Sequence, residues 1–368
     1  MSKHLHIVSF DVPFPPNYGG VIDVYYKIKA LHKLGVKIHL HCFYKDNAKT
    51  LELHNYCESI NYYKRNSSLK SLGSKLPFVV ATRASNKLIE NLEKDNHPIL
   101  FEGLHCTHPL SNEAIAKRKT FVRTHNVEHD YYKGLAQSET NLFKKLFFKR
   151  EAIKLKSYQN ILDKTSKVLS LSPFEYNYFK SIFKHTLYIP VFHQNTEVRK
   201  LSPNGDFALY IGDLRISDNK KAVTFLISVF KDLNYPLIIA SSFNSPAIVK
   251  QIRAFKNIKF QKILTSADAD ALLANAHINV ILTFQKTGIK LKLINTLFGG
   301  RFCVTNNLMV EDSGLESLCL VADSQVDFKK AVKHCINNTF DTKECDKRSM
   351  FLKEFNVIDS AQKIVDLF

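Results

Sequence analysis

The chain opens with HLHIVSF (4–10), where apolar and polar residues alternate and branched side chains are frequent, the pattern of a strand. The turn-rich stretch DVPFPPNYGG separates it from VIDVYYKIKALHKL, whose apolar positions recur at helical spacing and which stops at Gly35. VKIHLHCF returns to strand character. Strand, loop, helix and strand in this order make a βαβ unit, and such units build parallel sheets. PILFEGL, KTFVRTH, KVLSLS and TLYIPV are further short strands. The pattern then restarts: strands at NGDFALYIGDL, PLIIASS, NIKFQKI, HINVILTF and RFCVTN alternate with helices at KAVTFLISVFKDL, IVKQIRAF, ADADALLANA and GIKLKLINTLFGG. The polar segment TEVRKLSPN (196–204) separates the halves, and SMFLKEFNVIDSAQKIVDLF is a helical tail. The expected architecture is therefore α/β, with two domains: residues 1–197 together with a tail, 349–368, that packs back on them, and residues 198–348. Tandem α/β domains normally hold a ligand between them, at the carboxyl ends of parallel strands.

Composition agrees with a folded chain: 368 residues, 45% hydrophobic and 23% charged. It excludes disorder, collagen and coiled coil, and no apolar run approaches the ~18 residues of a membrane span. The start, MSKHLHIVSFDVPF, is too briefly apolar for a signal peptide. Seven scattered cysteines without a C-x-x-C pair lead us to expect reduced thiols in a cytosol. Charge changes the picture more. Lys and Arg total 52 against 34 Asp and Glu, a net +18; residues 1–195 hold 29 basic and 16 acidic, residues 196–368 hold 23 and 18. Such a chain suits anionic partners. No nucleic-acid module appears and aromatics do not interleave with the basic run in a stacking pattern, so nucleic acid is not expected.

There is no P-loop, no G-x-G-x-x-G after the first strand and no G-x-S-x-G elbow. HNVEH (His125–His129) matches an inverted zinc-protease pattern, but it follows a strand directly, whereas that site needs both histidines on one helix. Asp268 and Asp270 of DAD open a helix after Ser266, where acids complement the dipole. His39 and His41 alternate in a strand and face one side, a core or surface pattern rather than a ligand set. More informative are Gly19-Gly20, where backbone amides at a helix start attract an anion. His125, at a strand end, is placed to bond a sugar hydroxyl or handle a proton. In HINVILTFQKTGIKLKLINTLFGG, Gly288 is expected to open a helix carrying Lys290 and Lys292, a site suited to a diphosphate.

With these segments in view, the chain resembles the retaining glycosyltransferases of GT-B architecture, two Rossmann-like domains facing a cleft, in the group called family 4 or group 1. PPNYGGVIDVYYKIKALHKLGVKIHLHCF, RTHNVEHDYY, LSLSPFEYNYF, YIGDLRISDNKKAVTFLI, TGIKLKLINTLFGGRFCVTN and GLESLCLVAD resemble successive family segments along nearly the whole chain. The resemblance implies transfer of a sugar from a UDP- or GDP-linked donor to a saccharide or lipid-linked saccharide, with retention and without a metal or other cofactor, in surface polysaccharide or glycan synthesis. It implies that Gly19, Gly20, Gly212, Asn219, Lys220, Thr287, Gly288, Ile289 and Asn295 border the donor. Lys290, helped by Arg215, would stabilise the leaving diphosphate, and His125 would contact the donor sugar or the acceptor. Three positions depart from the family: Thr287 and Asn295 stand where glutamates are frequent, and Asp213 where an arginine is. They leave open a second reading, a catalytically impaired relative acting as a binding subunit. A sugar-nucleotide epimerase of the same architecture would need acidic groups placed for acid–base work, and only Glu128 offers itself. The segment FKKLFFKREAIKLKSY (143–158), with Lys144, Lys145, Lys149 and Arg150, reads as a basic amphipathic helix fit for anionic lipid. The expected location is the cytoplasm, peripheral on the inner face of the cell membrane.

Overall fold

The computed structural model describes residues 3–46, 50–66, 69–139, 141–284 and 290–368. Two compact units divide them. One runs to Gln194 and takes in Phe355–Phe368; the other spans 195–284 and 290–354.

The first unit is built on seven parallel strands: β1 (His4–Ser9), β2 (Lys37–Tyr44), β3 (Ser59–Lys64), β4 (Ile99–Glu102), β5 (Thr120–Thr124), β6 (Lys167–Ser170) and β7 (Thr186–Tyr188), in the order β3-β2-β1-β4-β5-β6-β7. Central strands β4 and β5 are buried along their whole length, as a sheet covered on both faces requires. Edge strand β3 is polar and half-buried, with only Tyr63 fully covered, so SINYYK carries no apolar run to announce it. Helix α1 (Gly19–Lys33) lays Val21, Val24, Ile28 and Leu31 on the sheet at helical spacing and stops at Gly35, whose φ of 77° favours glycine. Helices α2 (Asn86–Leu92), α3 (Glu128–Ser138) and α4 (Leu142–Tyr158) follow, with α3 and α4 packed as a hairpin.

The second unit repeats the plan with six parallel strands: β8 (Ala208–Ile211), β9 (Leu237–Ser241), β10 (Ile258–Lys262), β11 (Ile278–Ile281), β12 (Phe302–Thr305) and β13 (Leu320–Val321), in the order β10-β9-β8-β11-β12-β13. Helix α5 (Ser217–Phe230) buries Ala222, Val223, Leu226, Val229 and Phe230. Helix α6 (Ser266–Asn275) is capped by Thr265 rather than Ser266, and Asp268 of DAD closes a capping box with it. Helix α7 (Leu291–Gly299) begins later than its sequence implies. Lys290 lies outside it as the N-cap, with φ −86° and ψ 44°, and Lys292 stands in its first turn.

The final helix, α8 (Val357–Val365), belongs to the first unit. Ala361, Ile364 and Val365 join Val24, Ile28 and Leu31 in one core, and Lys3 donates to the Val365 carbonyl at 2.8 Å. No helix among the described residues is long and apolar enough to cross a membrane.

Candidate functional site

In each sheet the strand order reverses beside its first strand, at β1/β4 and at β8/β11, and ligands of open α/β sheets bind at the carboxyl ends of such junctions. In the first unit this edge is formed by the loop after β1, the start of α1 and the ends of β4 and β5. Tyr18 caps α1 without a side-chain bond and the first turn holds no acid, so the helix presents an uncompensated positive end at Gly19 and Gly20. A Cβ on Gly20 would stand 2.7 Å from the Phe10 ring, so glycine is what lets the loop press against the helix. Phe10 in turn meets His125 edge-on, with ring centroids 5.4 Å apart.

His125 follows β5 and is buried, with Nε2 2.9 Å from Glu102 Oε2. A carboxylate only accepts, so Nε2 donates, and the neutral ring carries its lone pair on Nδ1. That atom is buried and has no hydrogen-bond partner among the described residues. Glu102 is held on its other oxygen by Lys27 at 2.6 Å; Lys27 also donates to Asp23 at 3.0 Å, and Arg123 bonds Asp23 through two nitrogens at 2.8 and 3.1 Å. The side chains of Asp23, Lys27, Glu102 and Arg123 are all completely buried. Burial raises both carboxyls, but Arg123 and Lys27 outweigh it at Asp23, and Lys27 and His125 at Glu102, so both sit below their ordinary values. Asp23, Glu102 and His125 each offer a ligand atom within 4.8 Å of the others. The ammonium and guanidinium already balance those carboxylates, and the group is a buried ion-pair network that orients His125. Its parts come from register: Glu102 of β4 pairs with Arg123 of β5, two residues before His125.

Beside it, Glu128 opens α3 and burial pushes its carboxyl up to about 7. It accepts from Asn126 at 3.4 Å and lies 4.0 Å from His105 Nδ1. His129 turns instead to Asp130 at 3.4 Å, so His125, Glu128 and His129 of HNVEH face separate partners.

In the second unit the corresponding edge carries Gly212, Asp213 and the start of α5. Arg215 bonds Asp213 through Nε at 3.1 Å and Nη2 at 2.7 Å and lies over the Phe243 ring at 3.4 Å. Asp213 is thus paired with Arg215, the residue expected to serve the diphosphate, in an ion pair whose arginine is exposed. Asn219 is buried and its amide is spent internally: Nδ2 donates to the Asp213 carbonyl at 2.9 Å, and Oδ1 accepts from Tyr210 at 3.0 Å and from Lys292 at 2.7 Å. Lys292 also lies 5.1 Å from the Tyr210 ring centroid, and burial lowers its ammonium to about 8. Gly212 abuts the same Tyr210, which a Cβ would meet at 2.9 Å. Lys220 is exposed. Asn295 on α7 accepts from Asn195 at 2.8 Å. Thr287, Gly288 and Ile289 lie outside the described residues. The structure therefore gathers Gly212, Asn219 and Lys292 around Tyr210, with Lys290 as the helix cap, and gathers Gly20 and His125 around Phe10, with Gly19 next to Gly20 at the start of α1.

Helix α4 departs from the segregated faces expected of it. Phe147, Phe148, Ala152 and Leu155 lie on the more covered side, while Leu142, Leu146, Lys149, Arg150 and Ile153 share the exposed one, with Phe143 and Lys144 also exposed and Lys145 half-buried. Apolar and cationic groups are interleaved on one surface.

Sequence reasoning missed Glu102 and, although it named Lys292 beside Lys290, the bond from Lys292 to Asn219. PILFEGL gives no sign that its glutamate meets a histidine on the neighbouring strand. Lys290 and Lys292 are equivalent until the first residue of α7 is known.

No known family model matches the chain. A Klebsiella pneumoniae protein described as an uncharacterised 44.6 kDa protein in the cps region is 24% identical over 352 residues, 90% of this chain and 89% of that one. Among solved structures, sucrose-phosphate synthase from Thermosynechococcus elongatus is similar with a TM-score of 0.69 at 14% identity, over 99% of this chain and 98% of its own. TarM is similar with a TM-score of 0.69 at 11% identity, over 100% and 99%. HepE from Anabaena, solved with UDP and glucose, gives 0.65 at 14% identity, over 99% and 98%. The fold is that of the GT-B glycosyltransferases, two parallel-sheet α/β units.

Proposed function

We propose that this chain is a glycosyltransferase that moves a sugar from a UDP- or GDP-linked donor to a saccharide or lipid-linked saccharide, with retention at the anomeric carbon, in surface polysaccharide synthesis. The observation that carries the reading is the cationic start of α7, where Lys290 caps the helix, Lys292 stands in its first turn and no acid is present. As the glycosidic bond to the diphosphate breaks, negative charge grows on the leaving group. A fixed ammonium and helix-end amides stabilise that charge without reorganising, so no metal is called on. Lys292, whose Nζ is held by Asn219, takes this role with Lys290. His125 accepts a sugar hydroxyl on Nδ1, held in that tautomer by Glu102. The fold shared with HepE, whose structure contains UDP and glucose, supports the donor class, and the cps-region relative supports the pathway. The interleaved basic and apolar surface of α4 supports docking on an anionic membrane face, where a lipid-linked acceptor is met.

Thermal denaturation with UDP, GDP and their sugars tests the reading. A cognate nucleotide at 100 times its Kd adds about 2.7 kcal/mol of stability, and Lys292→Ala abolishes the shift. No shift with any nucleotide, or an unchanged shift in the variant, defeats it. Asn295 favours the second reading, a binding subunit with impaired catalysis, because it brings an uncharged amide, one of whose oxygen lone pairs is taken by Asn195, where a carboxylate would hold a ribose more strongly. A nucleotide shift without donor turnover selects that reading.

A further inference from the structure

The amino-terminal edge of the first sheet, at the opposite end of the strands from His125, gathers five histidines. Alternation puts His4 and His6 of β1 on the same face as His39 and His41 of β2, with His6 in register with His39, and His97 lies just before β4. The inner pair is buried and closed. His6 Nε2 lies 2.9 Å from Asp95 Oδ1, His6 Nδ1 lies 2.9 Å from His41 Nε2, and His41 Nδ1 lies 2.8 Å from the Tyr63 hydroxyl, which accepts from Asn91 at 2.8 Å. One chain of neutral tautomers satisfies every nitrogen of that pair.

The outer three, His4, His39 and His97, are half-buried. His4 Nδ1 and His39 Nε2 are 3.0 Å apart, and the His97 ring lies parallel to His4 with centroids 4.5 Å apart. One nitrogen from each ring lies within 4.8 Å of the other two. We propose that His4, His39 and His97 bind a divalent transition-metal ion of the zinc class, with water in the fourth position. Tetrahedral zinc at Zn–N distances near 2.05 Å places its nitrogens about 3.3 Å apart. The His4–His39 pair already stands close to that spacing, and rotation of the His97 ring about its Cβ–Cγ bond supplies the third ligand. The surroundings are those a ligating histidine needs. His39 Nδ1 lies 2.9 Å from Ser59 Oγ, which can accept a hydrogen carried on Nδ1, and in that tautomer the Nε2 lone pair is turned toward the ion. The His97 backbone N–H donates to Asp95 at 2.9 Å, and Arg118 pairs with that carboxylate at 3.2 Å and also donates to the His97 carbonyl, so the entry to β4 that carries His97 is fixed while the Asp95 charge is balanced, and the ion is held by the three imidazoles. Three imidazoles select zinc, nickel or copper over magnesium and calcium, which take oxygen ligands. The ion ties β1, β2 and the entry to β4 together, so it stabilises the first unit without touching the proposed donor site.

The test uses the full chain without a polyhistidine tag, stripped with a chelator and titrated with Zn²⁺ and Co²⁺ near neutral pH. Expected are uptake of a single equivalent of Zn²⁺, a raised Tm and the visible absorption of tetrahedral Co²⁺. His39→Ala and His97→Ala each weaken uptake by about tenfold or more. His334→Ala, at an exposed position in the second unit, leaves uptake unchanged. His97 lies outside the strands, so its variant keeps the sheet, which circular dichroism verifies. Failure of the wild-type chain to take up stoichiometric metal, or uptake unchanged in both variants, overturns the proposal.

Discussion

Glu128 is buried with its carboxyl raised to about 7, since burial outweighs the Asn126 amide and the Arg83 charge that favour ionisation. The unfolded chain loses this proton near pH 4.5 while the folded chain keeps it up to about 7. The unfolded state therefore binds fewer protons in that window, and stability falls as pH rises through it, by about 3 kcal/mol. Glu128→Gln removes the effect. Urea midpoints of the variant and the parent should agree below pH 4.5 and separate in favour of the variant at pH 8; equal midpoints at pH 8 contradict this. Lys292 is shifted in the opposite direction, with a consequence for ligand binding. Burial lowers its ammonium to about 8, so the charge that meets a diphosphate fades above that pH. Calorimetric donor affinity should hold to pH 7.5 and then weaken, approaching tenfold per unit above 8. Lys292→Arg, whose guanidinium stays charged, should flatten that slope, and a parent profile already flat to pH 9.5 removes Lys292 from the site.

Helix α4 places Leu142, Phe143 and Leu146 in water beside Lys144, Lys149 and Arg150, and the docking on anionic lipid proposed for it would draw on both apolar burial and charge. Vesicles containing phosphatidylglycerol should float the parent chain, and Phe143→Asp with Leu146→Asp should reduce the bound fraction at least severalfold; vesicles of phosphatidylcholine alone should float neither. Equal flotation of parent and double variant removes α4 from the contact. The sequence showed this helix and its charges, and helical spacing alone already puts Leu142, Leu146, Lys149, Arg150 and Ile153 on one face, so the expectation of opposed faces fails on the sequence itself; only which face α3 covers is a matter of packing. The same division of legibility holds across the chain. Central strands and α1 are plain from apolar periodicity because both faces of the sheet are covered. β3 is silent because an edge strand with one buried side chain needs no apolar run. The glycines at the start of α1 are readable because their geometry is local. The Glu102–His125 bond is not, because it depends on the register of β4 with β5.

The chain's two units are unequal in how they are closed. The second is continuous apart from the undescribed 285–289, whereas the first is completed only by α8, which follows the whole of the second in sequence. Ala361, Ile364 and Val365 fill the core against Val24, Ile28 and Leu31 on the helix whose first residues are Gly19 and Gly20. Burying these side chains contributes on the order of 5 kcal/mol, against roughly 5–15 kcal/mol for an ordinary domain. During synthesis the first core therefore stays open until α8 emerges, and α1, which begins at Gly19 and Gly20, is uncovered along that side until then. A chain ending at Asn356 should show faster amide exchange in α1, β1 and β2, while β8, β9, β11 and β12 exchange at the parent rate. It should also lose the His125 half of the proposed chemistry while keeping the nucleotide-induced stabilisation of the second unit. Uniform exchange rates in both units, or parent-like rates throughout, would show that α8 is not what completes the first core.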